Sequence, residues 1–302
     1  MSSGIIFINK QPGITSFDAL RCVKRFLGTG KVGHTGTLDK FASGLLIVLA
    51  GRSLKLCKYF SNCDKRYKGR IRFGIETDTL DPEGTIIAES DVPLKENILN
   101  VLPRFTGVIM QTPPEYSAIH INGKRASALA RAGNAPEMKK RQVTVYQLEL
   151  TCWQPPFADI FVHCSSGTYI RSLARDIALA AGSRGYLQSL LRTQAAGFSL
   201  DECEAKDIIV HPVDKNIISK LGLPWFTVSK DEAKDIFHGK ALDKIVINKN
   251  FLSGESIQLK QRITADSENA KDLFQAAAVF EGEELIAVLE KTDGKWKYGC
   301  VM

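Results

Sequence analysis

A chain of 302 residues with 44% hydrophobic and 24% charged residues can bury a large core, which excludes wholesale disorder and leaves room for one big domain and a small one. Forty Lys and Arg against 33 Asp and Glu leave a net charge of +7, a modest excess that favours a polyanionic partner without requiring one. Seven cysteines with no C-x-x-C pair, no apolar run near membrane length and no basic signal-peptide start point to a soluble protein of the reducing cytoplasm.

Gly4 to Asn9 reads as a strand, Pro12-Gly13 as a turn, and Thr15 with Asp18 as a capping box that opens a helix. Phe17, Leu20, Val23 and Leu27 follow at helical spacing, so that face is expected to pack inward. Leu45 to Ala50 is a continuous apolar run closed by Gly51, the pattern of a strand buried on both faces. Tyr67 to Phe73 alternates instead. Tyr67, Gly69, Ile71 and Phe73 share an inner face, while Lys68, Arg70 and Arg72 form a basic outer row. Ile160, Val162 and Cys164 alternate likewise, and Ser172 to Ala181 reads as an alanine-rich helix stopped by Gly182.

The stretch 211–224 carries two prolines and little periodicity, and is the expected boundary between residues 1–224 and 225–302. Beyond it, Ala276 to Phe280, Leu285 to Leu289 and Lys295 to Val301 read as strands, with turns at Glu281-Gly282 and Asp293-Gly294. A small β-rich module is expected there.

The segment Gly33-His34-Thr35-Gly36-Thr37-Leu38-Asp39-Lys40-Phe41-Ala42-Ser43-Gly44 runs straight into the apolar strand. A glycine-rich loop with its end anchored in the core is a good mount for a catalytic carboxylate. On the residues alone, Asp39 fits equally an Asx turn in which it bonds local N–H groups.

This segment resembles the catalytic motif of the bacterial TruB family of tRNA pseudouridine synthases, in which the aspartate is essential. Other family motifs recur in order: Lys10, Pro12, Gly13, Thr15 and Ser16, with Gln11 inserted; Phe73-Gly74; Thr77 to Gly84; Gln111 to Ala118; Gly167 to Leu173; and Arg192-Thr193. Several motifs in sequence are more specific than any one alone. The resemblance implies an α+β pseudouridine synthase fold with a mixed, mainly antiparallel central sheet, followed by a small PUA-like RNA-binding module at 225–302. It implies isomerisation of uracil-55 in the TΨC loop of tRNA, without a guide RNA.

Forming pseudouridine breaks the N1–C1′ bond, turns the freed uracil and rejoins it at C5. There is no net redox change, so no cofactor is expected. A carboxylate serves this either as a nucleophile or as a base that helps form a glycal-like intermediate, and the sequence leaves both routes open.

By the same resemblance Asp39 is the catalytic carboxylate, Arg171 its cation, and Tyr67 the candidate for moving the proton. Tyr169 would stack on the target base, Leu190 would pack near it, and His34 would lie where the base leaves its stack. The stacked uridine must be extruded to react. Lys68, Arg70, Arg72, Lys124, Arg125, Lys139, Lys140 and Arg141 are candidates for holding phosphates. The sequence departs from the family near Ser127 and at Ala178 and Leu191. Nothing in it suggests an obligate dimer, and a monomer is expected.

Overall fold

The computed structural model describes residues 3–134, 136–203, 208–246, 251 and 275–302. Residues 247–250 and 252–274, part of the stretch expected to form the small module, lie outside the described residues.

The expected capping box opens the first helix, α1 (Ser16–Leu27): the Thr15 hydroxyl accepts from Asp18 N–H and Asp18 accepts from Thr15 N–H. Leu20 and Val23 are buried as the spacing predicts, but Phe17 is not. It is 61% exposed, with Arg21 and Lys24 lying 5.6 and 5.5 Å from its ring centre. The helix buries only a narrow stripe, and Phe17 falls outside it.

The central sheet is built from seven longer strands: β1 (Gly4–Lys10), β2 (Ser43–Ala50), β3 (Lys65–Phe73), β4 (Gly107–Gln111), β5 (Arg141–Gln154), β6 (Phe157–Cys164) and β7 (Gly185–Ala195). Their spatial order is β1-β2-β7-β3-β6-β5-β4, and short strands at Val32–His34 and Phe198–Ser199 pair with β2 and β7. Every pairing is antiparallel except β7 with β2, where Leu191 faces Ser43 and Arg192 faces Gly44. The sheet is therefore mixed and mainly antiparallel, as expected.

Gly44 makes that one parallel contact possible. Its φ is +105°, and a Cβ there would stand 2.3 Å from the Arg192 carbonyl oxygen.

The apolar run in β2 is buried on both faces for an identifiable reason. Leu46, Val48 and Ala50 join the core formed with α1 and with α2 (Ile170–Ala180), whereas Leu45, Ile47 and Leu49 join a second core on the opposite side. That second core contains Ile5, Phe60, Phe198 and Ile218, together with Ala278, Phe280, Leu285 and Val288 from the C-terminal part. Those last residues belong to a four-stranded sheet of β8 (Trp225–Val228), β9 (Ala276–Glu281), β10 (Glu284–Thr292) and β11 (Lys295–Val301). The strands expected after 275 are thus present, and the β9–β10 and β10–β11 pairs are antiparallel across the expected turns. Asp293 and Gly294, both at positive φ, make the second of these turns.

Two local expectations change. The helix read from Ser172 begins two residues earlier, at Ile170. The stretch 211–224, read as irregular, contains a helix at Lys215–Lys220 capped by Asp214.

Candidate active site

Asp39 lies in the loop between Val32–His34 and β2, and two distant parts of the chain, residues 10–16 and Arg192, pin that loop. The Ser16 hydroxyl, at the start of α1, accepts from Leu38 N–H at 2.9 Å and lies 2.9 Å from the Leu38 carbonyl. Lys40 O accepts from Gly13 N–H at 2.8 Å and faces the buried ammonium of Lys10 at 3.4 Å. From β7, the Arg192 guanidinium donates to Leu45 O at 2.7 Å, Gly36 O at 3.1 Å and Thr37 O at 3.5 Å. The backbone on both sides of Asp39 is therefore fixed by partners distant in sequence.

The Asp39 carboxylate does not make an Asx turn. Its Oδ2 stands 2.9 Å from Arg171 Nε, an ion pair whose angle is off the line of a hydrogen bond. Arg171 is almost wholly buried at the first turn of α2, while the Asp39 side chain keeps 39% of its surface exposed. A guanidinium in that position has to be satisfied by the protein. Nη1 donates to Thr79 O at 2.7 Å and pairs with Asp81 at 3.3 Å, and Nη2 donates to Tyr116 O at 2.9 Å. One cation is thus held between two carboxylates, with Asp39 on the open side and Asp81 behind. Burial holds the Asp81 carboxyl above its ordinary pKa against the opposing pull of the Thr79 hydroxyl and Arg171.

A cavity of about 590 Å³ opens beside Asp39. All six residues named from the sequence line it: Asp39, Tyr67, Arg171, His34, Tyr169 and Leu190. Its size suits a small organic group rather than a flat surface contact. Tyr67 projects from the inner face of β3, and burial raises its hydroxyl to about 12 even though Arg192 faces it. It is a neutral phenol at physiological pH. Tyr169 is set by its backbone, with Gln111 donating to its carbonyl and accepting from its N–H. His34 is held below its ordinary pKa by burial and by Arg192, and its Nδ1 is buried without a hydrogen-bond partner among the described residues. Leu190 is buried on β7 opposite Gly69.

Lys10, Lys65, Asp81 and Arg192 were not singled out as site residues from the sequence. Asp81 and Arg192 sit inside motifs quoted for the resemblance, but only the fold brings Asp81 behind Arg171 and Arg192 under the Asp39 loop. Arg125 and Arg131, both exposed, line the same cavity. Arg70, expected among the phosphate contacts, is paired with Asp159 through Nε at 2.6 Å and Nη2 at 2.8 Å. The basic row on β3 is therefore partly neutralised.

Residues 24–170 match the model of the TruB family pseudouridylate synthase N-terminal domain. The chain is 45% identical over 205 residues to a tRNA pseudouridine synthase B of Borreliella burgdorferi strain ZS7, covering 67% of this chain and 73% of that protein. It belongs to the TruB family. A tRNA pseudouridine synthase B of Francisella philomiragia is 40% identical over 246 residues, covering 78% of this chain and 82% of that one. Among solved structures, a chain of a Cbf5-Nop10-Gar1 complex superposes with a TM-score of 0.64 at 23% identity, covering 96% of this chain and 78% of its own length. That likeness of fold extends over nearly the whole TruB-family chain. No helix among the described residues is long and apolar enough to cross a membrane.

Proposed function

We propose that this enzyme isomerises uridine-55 in the TΨC loop of tRNA to pseudouridine, with Asp39 as the essential carboxylate. The observation that carries the assignment is the ion pair between Asp39 and the buried Arg171 at the wall of a cavity lined by Tyr67 and Tyr169. Arg171 pairs with the Asp39 carboxylate and orients it, which nucleophilic and basic roles both require. Tyr169 offers an aromatic face to the base, and Leu190 gives it an apolar neighbour that does not hinder turning. In this reading Tyr67 is the candidate for moving the C5 proton, giving up its own phenolic proton as it accepts that one.

The substrate reading rests on family membership and on relatives at 40–46% identity that are named tRNA pseudouridine synthase B. The complexes with Nop10 and Gar1 are matched at only 23% identity, which favours action on free tRNA without a guide RNA. Residues 225–302 serve in this reading as a PUA-like RNA-binding module, and the enzyme works as a monomer in the cytoplasm, where tRNA is its partner.

Asp39→Asn tests the assignment. It keeps shape while removing charge, nucleophilicity and basicity. The variant should melt as a folded protein and bind tRNA with near-normal affinity, because phosphate contacts dominate binding. It should release no tritium from C5-labelled uridine in tRNA. Near-normal turnover by the folded variant would sink both the role of Asp39 and the mechanism. Binding without turnover separates an enzyme from a tRNA-folding chaperone, and release of free uracil by the wild type would indicate a hydrolase.

A further inference from the structure

The cavity holds two buried guanidinium groups in opposite circumstances. Arg171 faces two carboxylates, Asp39 and Asp81. Arg192 is 2% exposed, and no carboxylate pairs with it among the described residues; it bonds three main-chain carbonyls and faces the neutral Tyr67 hydroxyl. Lys65 stands near it on the same wall. Its ammonium donates to Ser61 O at 2.9 Å and to Cys63 O, again with no carboxylate in contact among the described residues.

Burying a cation without a counter-charge is costly. Three carbonyls and the Tyr67 hydroxyl engage four of the five N–H groups of Arg192, and two carbonyls use two of the three on Lys65. Donors and positive charge are therefore left over beside a space shaped for a base. Burial, together with Arg192, also holds the Lys65 ammonium below its ordinary pKa, as expected for a cation lacking an anion.

We propose that Arg192, assisted by Lys65, stabilises the negative charge carried by the detached uracil ring. This rests on the synthase reading. When N1–C1′ breaks, the electron pair stays on the ring, which becomes an anion delocalised over N1, O2 and O4. C1′ is meanwhile taken by an Asp39 oxygen, or Asp39 accepts the C2′ proton and leaves a C1′–C2′ double bond in the sugar. On return, the ring supplies the pair that forms C5–C1′, displacing the carboxylate or accompanied by reprotonation at C2′. C5 then loses its proton and N1 gains one, so the overall change is an isomerisation.

A half-turn about the axis through N3 and C6 exchanges N1 with C5 and O2 with O4. The same donors thus meet a carbonyl oxygen before and after the turn. The cation pair steadies the ring without binding only one of its orientations.

The test compares tRNA carrying uridine or 5-fluorouridine at the target position, in single-turnover reactions read by chromatography of the rearranged nucleoside. Fluorine makes the departing ring a weaker base, so its cleavage depends less on enzyme charge. Arg192→Met should slow the uridine reaction by about 100-fold, the size seen when one donor to a developing anion is removed. With 5-fluorouridine the loss should shrink to under about tenfold, and Arg192→Lys should recover part of the uridine rate. A residue that only shapes the Asp39 loop would slow both substrates by the same factor, and that result would overturn the proposal. Lys65 does not bond the Asp39 loop, so Lys65→Met provides the same comparison if Arg192→Met melts before assay. Equal losses with Lys65→Met and with the folded Arg192→Lys enzyme would count equally against it. The wild-type reaction on uridine RNA tests the synthase reading itself, so the two failures are distinguishable.

Discussion

Asp81 is 8% exposed, accepts from the Thr79 hydroxyl at 2.6 Å and from Glu83 N–H at 3.0 Å, and meets Arg171 without lining the 590 Å³ cavity. It touches nothing that reacts and works as a positioning residue. Its charge and fixed place determine where Arg171, and through it Asp39, stands. Asp81→Asn should therefore lower the single-turnover rate by about 10- to 100-fold, the range expected when a reacting group is displaced by a fraction of an ångström to an ångström. Affinity for tRNA should hold. A folded Asp81→Asn enzyme with the wild-type rate at saturating enzyme would show that Thr79 O and Tyr116 O position Arg171 unaided. The resemblance already made Arg171 the cation of Asp39, but the pairing of Asp81 with Arg171, 90 residues apart, is not visible in the sequence. The motif identifies which side chains to examine, and the fold determines which of them touch.

At the scale of elements, β3 and β6 lie side by side, with Tyr67 opposite Val162 and Lys65 opposite Cys164. Burial raises Tyr67 from 10.0 to about 12 and the Cys164 thiol from 9.0 to about 12. Both groups hold their protons more tightly when folded, so the stability they contribute is complete below pH 9 and is lost as pH rises toward 12. Urea midpoints measured from pH 8 upward should be level to about pH 9 and then fall, by a total of a few kcal/mol in stability. In Cys164→Ala the fall should be shallower, because Tyr67 and the half-buried Cys203, raised from 9.0 to about 11, still titrate; an unchanged slope would remove Cys164 from the account. The alternation that gives Tyr67 an inner face was legible in the sequence, since a strand places every second residue on one side. That Arg192 of β7 lies across from Tyr67 was not, because strand order is a long-range property.

At the scale of the whole molecule, the C-terminal sheet covers the back of β1 and β2. Phe280 is fully buried, packs edge-on to Trp225, and shares a core with Ile5, Leu45, Ile47, Leu49 and Phe198. Phe280→Ala should cost about 3–5 kcal/mol. Because that core is continuous across the expected boundary, the loss should appear in one cooperative urea transition seen by probes in both parts. Two transitions, with only the C-terminal one shifted, would show that the parts fold independently. Single-turnover rates at saturating enzyme should change little, since Phe280 does not line the cavity beside Asp39. Without RNA, sedimentation should return a mass near that of one chain.

The sequence by itself determined the local structure and the chemistry on offer. The capping box at Thr15, the two-sided burial of β2, the alternation of β3 and the turns between β9, β10 and β11 all follow from contacts a few residues long. The resemblance carried by the ordered motifs marked Asp39, Tyr67, Tyr169, Leu190, Arg171 and His34, and these do line one cavity. Tertiary structure decided what holds them there: Asp81 behind Arg171, Lys10 and Ser16 against the Asp39 loop, and Arg192 reaching that loop through the gap left by Gly44. It also turned Phe17 outward and set the C-terminal sheet against β2. Burial and charge pairing depend on which distant segments meet, so a buried cation without a carboxylate partner, such as Arg192, is visible only after the chain has folded.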